Sequence, residues 1–126
     1  MKVFVTWNQV EEFVTRVADR YKDTKLSGVY GLPRGGLVFA VMLSHRLNIP
    51  LLAAPCPECI IVDDICDSGE SLLHYCKNSS AEQGKSVRYY IVTMYFKDND
   101  LQVEPDLYVA KKKDDWIVFP WESKED

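Results

Sequence analysis

The chain has 126 residues, a formal net charge of −4, 47% hydrophobic residues and 27% charged residues. This size and composition suit one globular domain with one core, so we predict a single domain over residues 1–126. No apolar run is long enough to span a bilayer, the start lacks the apolar core of a signal peptide, and no dense Lys/Arg patch is present. We therefore expect a cytoplasmic protein that binds neither a membrane nor a nucleic acid.

The first half of the sequence alternates helical and extended patterns. Thr6, with Gln9 three residues later, has the capping-box pattern, and apolar residues then recur at helical spacing. This pattern predicts a helix from about Trp7 to Lys22. The segment "SGVYGL" predicts a short strand that "PRGG" ends, "LVFAVMLSHRL" predicts a helix buried nearly all round, and "IPLLAAP" predicts a second strand.

The second half continues the alternation. The segment "CIIVDDI" is apolar on both faces, as a central parallel strand should be, and "SGESLLHYCKNSSAEQG" predicts a helix that closes on Gly84. Two further strands are predicted over "VRYYIVTMYF" and "PDLYVAKK", followed by an extended tail segment "WIVFP". This alternation predicts an α/β fold with a mostly parallel central sheet flanked by helices, in which ligands bind beyond the carboxyl ends of the strands.

The segment "IIVDDICDSGES" combines a buried strand, an acidic pair and the start of a helix. A helix start offers unpaired N–H groups and partial positive charge, Gly69 allows close approach of the backbone, and Ser68 and Ser71 add hydroxyl donors. Such a turn is a phosphate cradle. A plain helix cap would explain Asp67 and Ser68 equally well.

The acidic pair Asp63 and Asp64 needs a further explanation, because a helix cap does not place two carboxylates on an apolar strand. Carboxylates accept hydrogen bonds from sugar hydroxyls or hold Mg²⁺ through water. With the phosphate cradle beside them, they indicate a phosphorylated sugar as ligand. A receiver domain of the response-regulator type is the weaker alternative, because its acidic pair lies on the first strand of the domain, whereas this pair lies mid-chain.

The loop "GLPRGG" is a second candidate for phosphate binding. Its glycines permit unusual backbone angles, and Arg34 can hold a phosphate through two hydrogen bonds. An ordinary strand-to-helix turn with a surface arginine is the alternative. The sequence also holds a C-x-x-C pair, Cys56 and Cys59, which suggests a redox pair, half of a zinc site or simply small buried residues. Further zinc ligands would have to come from Cys66, Cys76, His45 and His74.

At these residues the sequence resembles the type I phosphoribosyltransferases. The segment "IIVDDICDSGES" looks like their motif for phosphoribosyl pyrophosphate (PRPP), and "GLPRGG" looks like their pyrophosphate loop. The tail "YFKDNDLQVEPDLYVAKKKDDWIVFPWE" is similar to the small C-terminal base-binding segment of the xanthine–guanine and hypoxanthine branch. The resemblance extends from about Gly28 to Glu122.

The resemblance implies a Mg²⁺-dependent enzyme, a homodimer or homotetramer, that transfers the phosphoribosyl group from PRPP to guanine, hypoxanthine or xanthine. The products are a nucleoside monophosphate and pyrophosphate. It implies that Asp63 and Asp64 contact the ribose hydroxyls or, through water, the Mg²⁺ ion, and that Asp67 is the general base near purine N7. The phosphate and pyrophosphate ligands that it implies are Ser68, Gly69, Glu70 through its backbone, Ser71, Arg34 and Gly35, with a cis Pro33–Arg34 peptide.

The base site implied by the resemblance consists of Lys97, Trp116 and Ile117. A lysine ammonium donates to a 6-oxo group, which favours these bases over adenine, while Trp116 stacks on the ring and carbonyls near Ile117 accept from a 2-amino group. Glu122 is a further candidate metal ligand. The alternatives are a solvated lysine, a tryptophan of the core or of an interface, and a glutamate of the tail surface.

One departure from the family pattern leaves two functions open. The family usually carries a long mobile loop that closes over PRPP and excludes water, whereas here only about "APCPEC" separates two predicted strands. The chain is then either a compact phosphoribosyltransferase or a non-catalytic protein that binds PRPP or a nucleotide, and a redox or zinc protein is a third class. Exposed aromatic residues are expected to form a subunit interface; the candidates are Tyr89, Tyr90, Phe96 and Tyr108.

Overall fold

The computed structural model describes residues 2–77, 88–112 and 116–122, without the side chains of residues 74, 76 and 77. Four strands form a parallel sheet in the order β2-β3-β4-β5, and β1 pairs with β6 in a second, two-stranded parallel sheet. The predicted α/β class with a mostly parallel sheet is confirmed. The elements are β1 (Lys2–Phe4), α1 (Trp7–Tyr21), β2 (Val29–Gly31), α2 (Gly35–Leu47), β3 (Ile60–Cys66), α3 (Glu70–Lys77), β4 (Tyr90–Phe96), β5 (Ala110–Lys111) and β6 (Trp116–Val118).

Helix α1 begins and ends nearly where the sequence predicts. The N–H of Gln9 donates to Thr6 Oγ1 at 3.1 Å, and the N–H of Thr6 donates to Gln9 Oε1 at 2.8 Å, which is the predicted capping box. Its apolar stripe lies in the core because the buried positions recur every three or four residues. They are Val10, Phe13, Val14, Val17, Ala18 and Tyr21.

Helix α2 is less buried than its sequence suggests. Phe39 and Leu43 are fully buried, but Leu37 and Val41, four residues apart on one face, are each 43% exposed. The prediction of a helix buried all round is therefore wrong for this face. Only one side of α2 packs on the sheet and on α1, so an apolar sequence alone does not decide which positions meet a neighbour.

Strand β3 is the centre of the larger sheet, between β2 and β4, and its residues Ile60–Val62 are fully buried. The predicted second strand is largely absent, since "IPLLAAP" contributes a single bridge between Leu51 and Val29. Pro50, directly before the bridge, has no N–H to extend the ladder in that direction. The predicted fifth strand is likewise short, with β5 preceded by one bridge between Leu107 and Val92.

Strand β1 is not predicted from the sequence. It pairs with β6 in the register Lys2↔Trp116 to Phe4↔Val118, across almost the whole chain. The tail after β6 then packs its aromatic rings on α2: Phe119 stacks on Trp121 with centroids 5.1 Å apart, and Trp121 meets Phe39 at 5.2 Å. Phe119 is thus part of the core, and Trp121 packs half-buried against it.

One further prediction concerns residues outside those that the structure describes, and another is wrong. The predicted end of the third helix at Gly84 lies outside the described residues. Phe96 is only 3% exposed, so it is wrong as an interface residue, because β4 is an inner strand of the sheet. Among the residues that the structure describes, no helix is both long and apolar enough to cross a membrane.

Candidate active site at the carboxyl edge of the sheet

Three neighbouring strands end in charged residues that lie side by side. The register of β3, β4 and β5 pairs their last residues, and each ladder continues by one hydrogen bond. The N–H of Lys97 donates to the carbonyl of Cys66 at 2.8 Å, and the N–H of Lys112 donates to the carbonyl of Phe96 at 2.6 Å. The residues that follow the three strands, Asp67, Lys97 and Lys112, therefore form a row at the edge where α/β sheets bind ligands.

Asp67 lies at one end of this row and is the acceptor for both lysines. Lys112 Nζ lies 2.7 Å from Asp67 Oδ2, and Lys97 Nζ lies 3.8 Å from Asp67 Oδ1. The hydrogen bond from Lys112, with the charges of both lysines, lowers the pKa of Asp67 below its ordinary value. Asp67 is therefore a carboxylate at neutral pH, with one oxygen facing each lysine.

The predicted acidic pair lies in the second half of β3. The N–H of Asp64 donates to Asp63 Oδ1 at 2.8 Å, and the N–H of Ile65 donates to Asp64 Oδ1 at 2.8 Å. Burial, followed by a side-chain hydrogen bond with Asp64 and the charge of Asp64, raises the pKa of Asp63 to about 8, against the smaller opposing effect of the Asp64 backbone N–H. At neutral pH the free protein thus holds a proton on Asp63. A bound cation or hydroxyl donors from a ligand would compete with this proton for the carboxylate oxygens.

The "PRGG" loop packs directly against this pair. A Cβ on Gly35 would overlap the carboxylate of Asp64, and a Cβ on Gly36 would overlap the carbonyl of Val62. A Cβ on Gly36 would meet backbone atoms, so only glycine fits there, whereas a Cβ on Gly35 would displace the Asp64 carboxylate. The Pro33–Arg34 peptide is cis, as the resemblance implies, and Arg34 is exposed.

The turn between β3 and α3 holds the residues predicted to form a phosphate cradle. Gly69 has φ of 84°, and a Cβ there would press on Asn99 and Val103. Ser68 Oγ accepts a hydrogen bond from the N–H of Glu70 at 3.3 Å, so the helix-cap alternative accounts for that hydroxyl in the free protein. Asp63, Asp67 and residues 68, 69 and 71 line a pocket of about 150 Å³ here.

A wider groove of about 540 Å³ adjoins this pocket and shares Asp67 and Ser68 with it. Its far side is formed by Lys97 and the turn after β4. Asn99 closes that turn, donating to the carbonyl of Val103 at 2.9 Å and accepting from the N–H of Val103 at 3.0 Å. The phosphate-type pocket and the groove therefore meet at Asp67.

The remaining predicted base-site residues lie on β6, and the candidate metal ligand Glu122 lies in the tail after it. Trp116 is 64% exposed, whereas the Ile117 side chain is buried in the core. Glu122 Oε1 accepts a hydrogen bond from the N–H of Phe119 at 2.8 Å and so closes the terminal turn. The exposed ring suits a stacking surface, while the observed partner of Glu122 is its own backbone; the ligand roles of all three stay predictions.

Sequence reasoning missed Lys112 and Asn99. The run "AKKKDD" gives no signal that one of its lysines reaches the site, because that depends on the register of β5. For Asn99 a signal was present: Asp and Asn in "KDNDL" are typical turn residues whose side chains hydrogen-bond nearby backbone.

The cysteine pair lies away from this edge. The carbonyl of Glu58 accepts from the N–H of Ser27 at 3.0 Å, and the N–H of Glu58 donates to the carbonyl of Arg88 at 2.7 Å. These two hydrogen bonds hold the connection before β3 near the amino ends of the strands. Cys56 and Cys59 are free thiols, and burial raises the pKa of Cys59. Within the described part of the chain, no group of three or more His, Cys, Asp or Glu residues is arranged to hold a metal ion.

An open groove of about 500 Å³ also lies between α1 and residues 106–108, which precede β5. Of its two acidic residues, Asp19 and Asp106, the second is already held by Arg88 at 3.0 Å and by the N–H of Ile91 at 2.8 Å. This groove is at the amino edge of the sheet, so the residues predicted to bind ligands do not line it.

Comparison with known proteins identifies the fold. No family model matches the chain. The solved purine phosphoribosyltransferase from Pyrococcus horikoshii Ot3 superposes with a TM-score of 0.76 and 30% identity, over 97% of this chain and 95% of that one. The Helicobacter pylori xanthine–guanine–hypoxanthine phosphoribosyltransferase superposes with a TM-score of 0.74 and 18% identity, over 99% and 96%. The architecture is thus that of the purine phosphoribosyltransferases.

Curated sequences agree with this class. The xanthine–guanine phosphoribosyltransferase of Chromohalobacter salexigens is 21% identical over 140 residues, covering 94% of this chain and 82% of the relative. That of Idiomarina loihiensis is 24% identical over 145 residues, covering 94% and 86%. The chain belongs to the type I phosphoribosyltransferase family, in its xanthine–guanine and hypoxanthine branch.

Proposed function

We propose that this protein transfers the phosphoribosyl group from PRPP to a 6-oxopurine, giving a nucleoside 5′-monophosphate and pyrophosphate. The observation that carries the proposal is the row at the carboxyl edge, where Lys97 Nζ and Asp67 Oδ1 are 3.8 Å apart. The Lys97 ammonium can donate to the purine O6, and the Asp67 carboxylate can accept from a protonated N7. The two side chains therefore complement this edge of a 6-oxopurine. Adenine has an amino group at position 6. This group and the Lys97 ammonium are both hydrogen-bond donors, so they cannot pair.

The phosphate groups of PRPP are assigned to the two loops that flank the acidic pair. The turn at residues 68–71 would hold the 5′-phosphate through backbone N–H groups and the hydroxyls of Ser68 and Ser71. Arg34 and the backbone of Gly35 would hold the pyrophosphate. The close packing of Gly35 on Asp64 supports this assignment, because it brings the second loop next to the ribose site.

A divalent cation suits the acidic pair. Asp63 and Asp64 offer hard oxygen ligands, and the raised pKa of Asp63 indicates a carboxyl group that lacks positive charge nearby. Mg²⁺ commonly uses one or two carboxylates and completes its shell with water and substrate phosphates, so two protein carboxylates are enough. When bound, Mg²⁺ would neutralise the charge of the departing pyrophosphate.

In the proposed reaction, the bond between purine N9 and ribose C1′ forms as the bond between C1′ and the pyrophosphate oxygen breaks. The positive charge that develops on the purine is removed when the N7 proton passes to Asp67. Asp63 and Asp64 hold the ribose hydroxyls, so that C1′ is aligned between the base and the leaving group. Trp116 stacks on the purine, and carbonyls near Ile117 contact its position 2.

The alternative of a non-catalytic PRPP- or nucleotide-binding protein is not supported. The curated relatives described above are named as transferases, and a protein that senses PRPP alone has no need of a lysine beside Asp67. Cytoplasmic location and assembly into a dimer or tetramer stay predictions.

The test is a turnover assay with PRPP and Mg²⁺ against guanine, hypoxanthine, xanthine and adenine, with monophosphate product measured by chromatography. We expect product with at least one 6-oxopurine and far less with adenine. Omission of Mg²⁺ with added chelator is the matched control for the cation. If no base gives product while calorimetry detects PRPP binding, the protein is a binding protein and the proposal is wrong.

A further inference from the structure

Lys112 differs from an ordinary surface lysine in its burial and its contacts. Its side chain is 14% exposed, whereas that of Lys111 is 57% exposed. Its backbone N–H is fixed by the carbonyl of Phe96, so the side chain starts from a defined point on the sheet edge. Holding a long flexible side chain in one place costs conformational entropy, so a short contact by a nearly buried ammonium indicates a specific role.

The neighbouring ion pair gives a measure of this difference. Lys111 Nζ lies 3.7 Å from Asp98 Oδ1, and the Asp98 side chain is 81% exposed, so that pair is loose and solvated. Lys112 Nζ lies 2.7 Å from Asp67 Oδ2, within the range of a charge-assisted hydrogen bond. Two adjacent lysines thus make one loose and one tight contact with the same kind of partner.

The two oxygens of Asp67 are divided between the two lysines of the row. Lys112 holds Oδ2, and Lys97 lies at the longer distance of 3.8 Å from Oδ1. Oδ1 therefore keeps its free lone pair on the side of Lys97, where the groove opens. A carboxylate held from one side presents its other oxygen in a fixed direction.

We propose that Lys112 is a positioning residue for Asp67: it holds the carboxylate by Oδ2 so that Oδ1 faces the N7–H of the bound purine beside Lys97. The inference rests on the proposed function, because it assigns Lys112 a part in the same proton transfer. Lys112 itself touches neither the base nor PRPP. It acts as the orienting group behind a catalytic base, as the third member of a catalytic triad does.

Two consequences separate this role from a purely structural one. Binding of PRPP uses the loops on the other side of Asp67, so loss of Lys112 lowers kcat and leaves the KM for PRPP unchanged. Lys112 also helps to keep Asp67 ionised, so its loss raises the pKa of Asp67. If Lys112 merely stabilised the fold, its loss would lower the melting temperature without a selective change in kcat or in the pKa of Asp67.

The experiment compares Lys112→Met with Lys111→Met, its neighbour in the chain, in the full-length protein. We expect Lys112→Met to lower kcat by roughly 10- to 100-fold, the range seen when an outer partner that orients a site ligand is lost. Lys112→Arg keeps the cation and should restore part of that loss. Lys111→Met should keep the wild-type kcat. The Asp67 carboxyl is followed by NMR titration in each variant, and its pKa should rise only in Lys112→Met.

The outcomes distinguish the inference from the function on which it rests. If the wild-type protein gives no product with any base, the proposed function is wrong and the inference is lost with it. If the wild-type protein turns over and Lys112→Met matches Lys111→Met in kcat and in the Asp67 titration, only the role of Lys112 is overturned. Thermal unfolding of each variant shows whether it folds; where Lys112→Met does not, Lys112→Gln and Lys112→Arg provide the same comparison.

Discussion

Replacing Asp67 by Asn tests the centre of the proposed site with the smallest change in shape. The amide keeps an oxygen that Lys112 can still contact, but it loses the negative charge and the ability to take a proton. Because the Asp67 side chain is 50% exposed, its ion pairs contribute about 1 kcal/mol or less to stability. We therefore expect Asp67→Asn to fold and melt almost as the wild-type protein does.

The effect on turnover should be much larger than the effect on stability. A positioned general base contributes typically about 10²- to 10⁴-fold to rate, which corresponds to about 3–5 kcal/mol of activation free energy. In the proposed complex PRPP would meet Asp67 only at the edge that the pocket and the groove share, so the affinity for PRPP should change little. The expected pattern is a large loss of kcat with an intact binding isotherm.

The assay measures initial rates of monophosphate formation at saturating PRPP, and calorimetry measures PRPP affinity separately. Asp19→Asn is the matched control, because it makes the same chemical change on an exposed side chain of α1, away from the proposed site. Its turnover should equal that of the wild type. If Asp67→Asn kept turnover within about tenfold of the wild type, a difference of about 1.4 kcal/mol, Asp67 would not be the base.

The same geometry makes four further predictions. Trp116→Ala should raise the KM for the base severalfold and leave that for PRPP unchanged; equal base KM values would leave Trp116 as an ordinary surface residue. Gly35→Ala should weaken PRPP binding in calorimetry, because the added Cβ overlaps the Asp64 carboxylate. The native protein keeps a proton on Asp63 up to a pKa of about 8, whereas the unfolded chain releases it near 3.8, so the unfolding free energy should fall as pH rises between these values. Urea unfolding across that pH range should show a flatter profile for Asp63→Asn, and identical slopes would contradict the assigned pKa. Finally, PRPP without a base should release ribose 5-phosphate above the buffer blank, because the connection from Leu52 to Ile60 lies near the amino edge and does not cover the site.

The parts of the fold that the sequence predicts well are those with a local physical signal. The Thr6 capping box and the helical spacing after it determine α1, and an apolar run of the right length determines β3. The acidic pair and the glycine turn are also local signals, so the order of residues along the chain is enough to locate the phosphate-type pocket.

The parts that it misses depend on pairing between distant residues. Strand β1 exists because Lys2–Phe4 meets Trp116–Val118, and no pattern in a three-residue segment predicts that partner. The exposed face of α2 has the same cause, since nothing in the apolar sequence shows that no element covers Leu37 and Val41 in the described part of the chain. The role of Lys112 likewise depends on which residue of "KKK" follows the last rung of β5.

The contacts among the residues that follow the three strands also bear on how the proposed reaction proceeds when the connection from Leu52 to Ile60 does not cover the site. A closed site strengthens electrostatic interactions by excluding water, and an open one weakens them by solvent screening. Asp67 is half exposed, so orientation of its carboxylate depends less on enclosure than on direct contacts. Lys112 supplies such a contact. Its side chain is nearly buried, so solvent screens this contact little. The half-exposed Asp67 carboxylate is thus oriented by a direct contact with Lys112 rather than by enclosure.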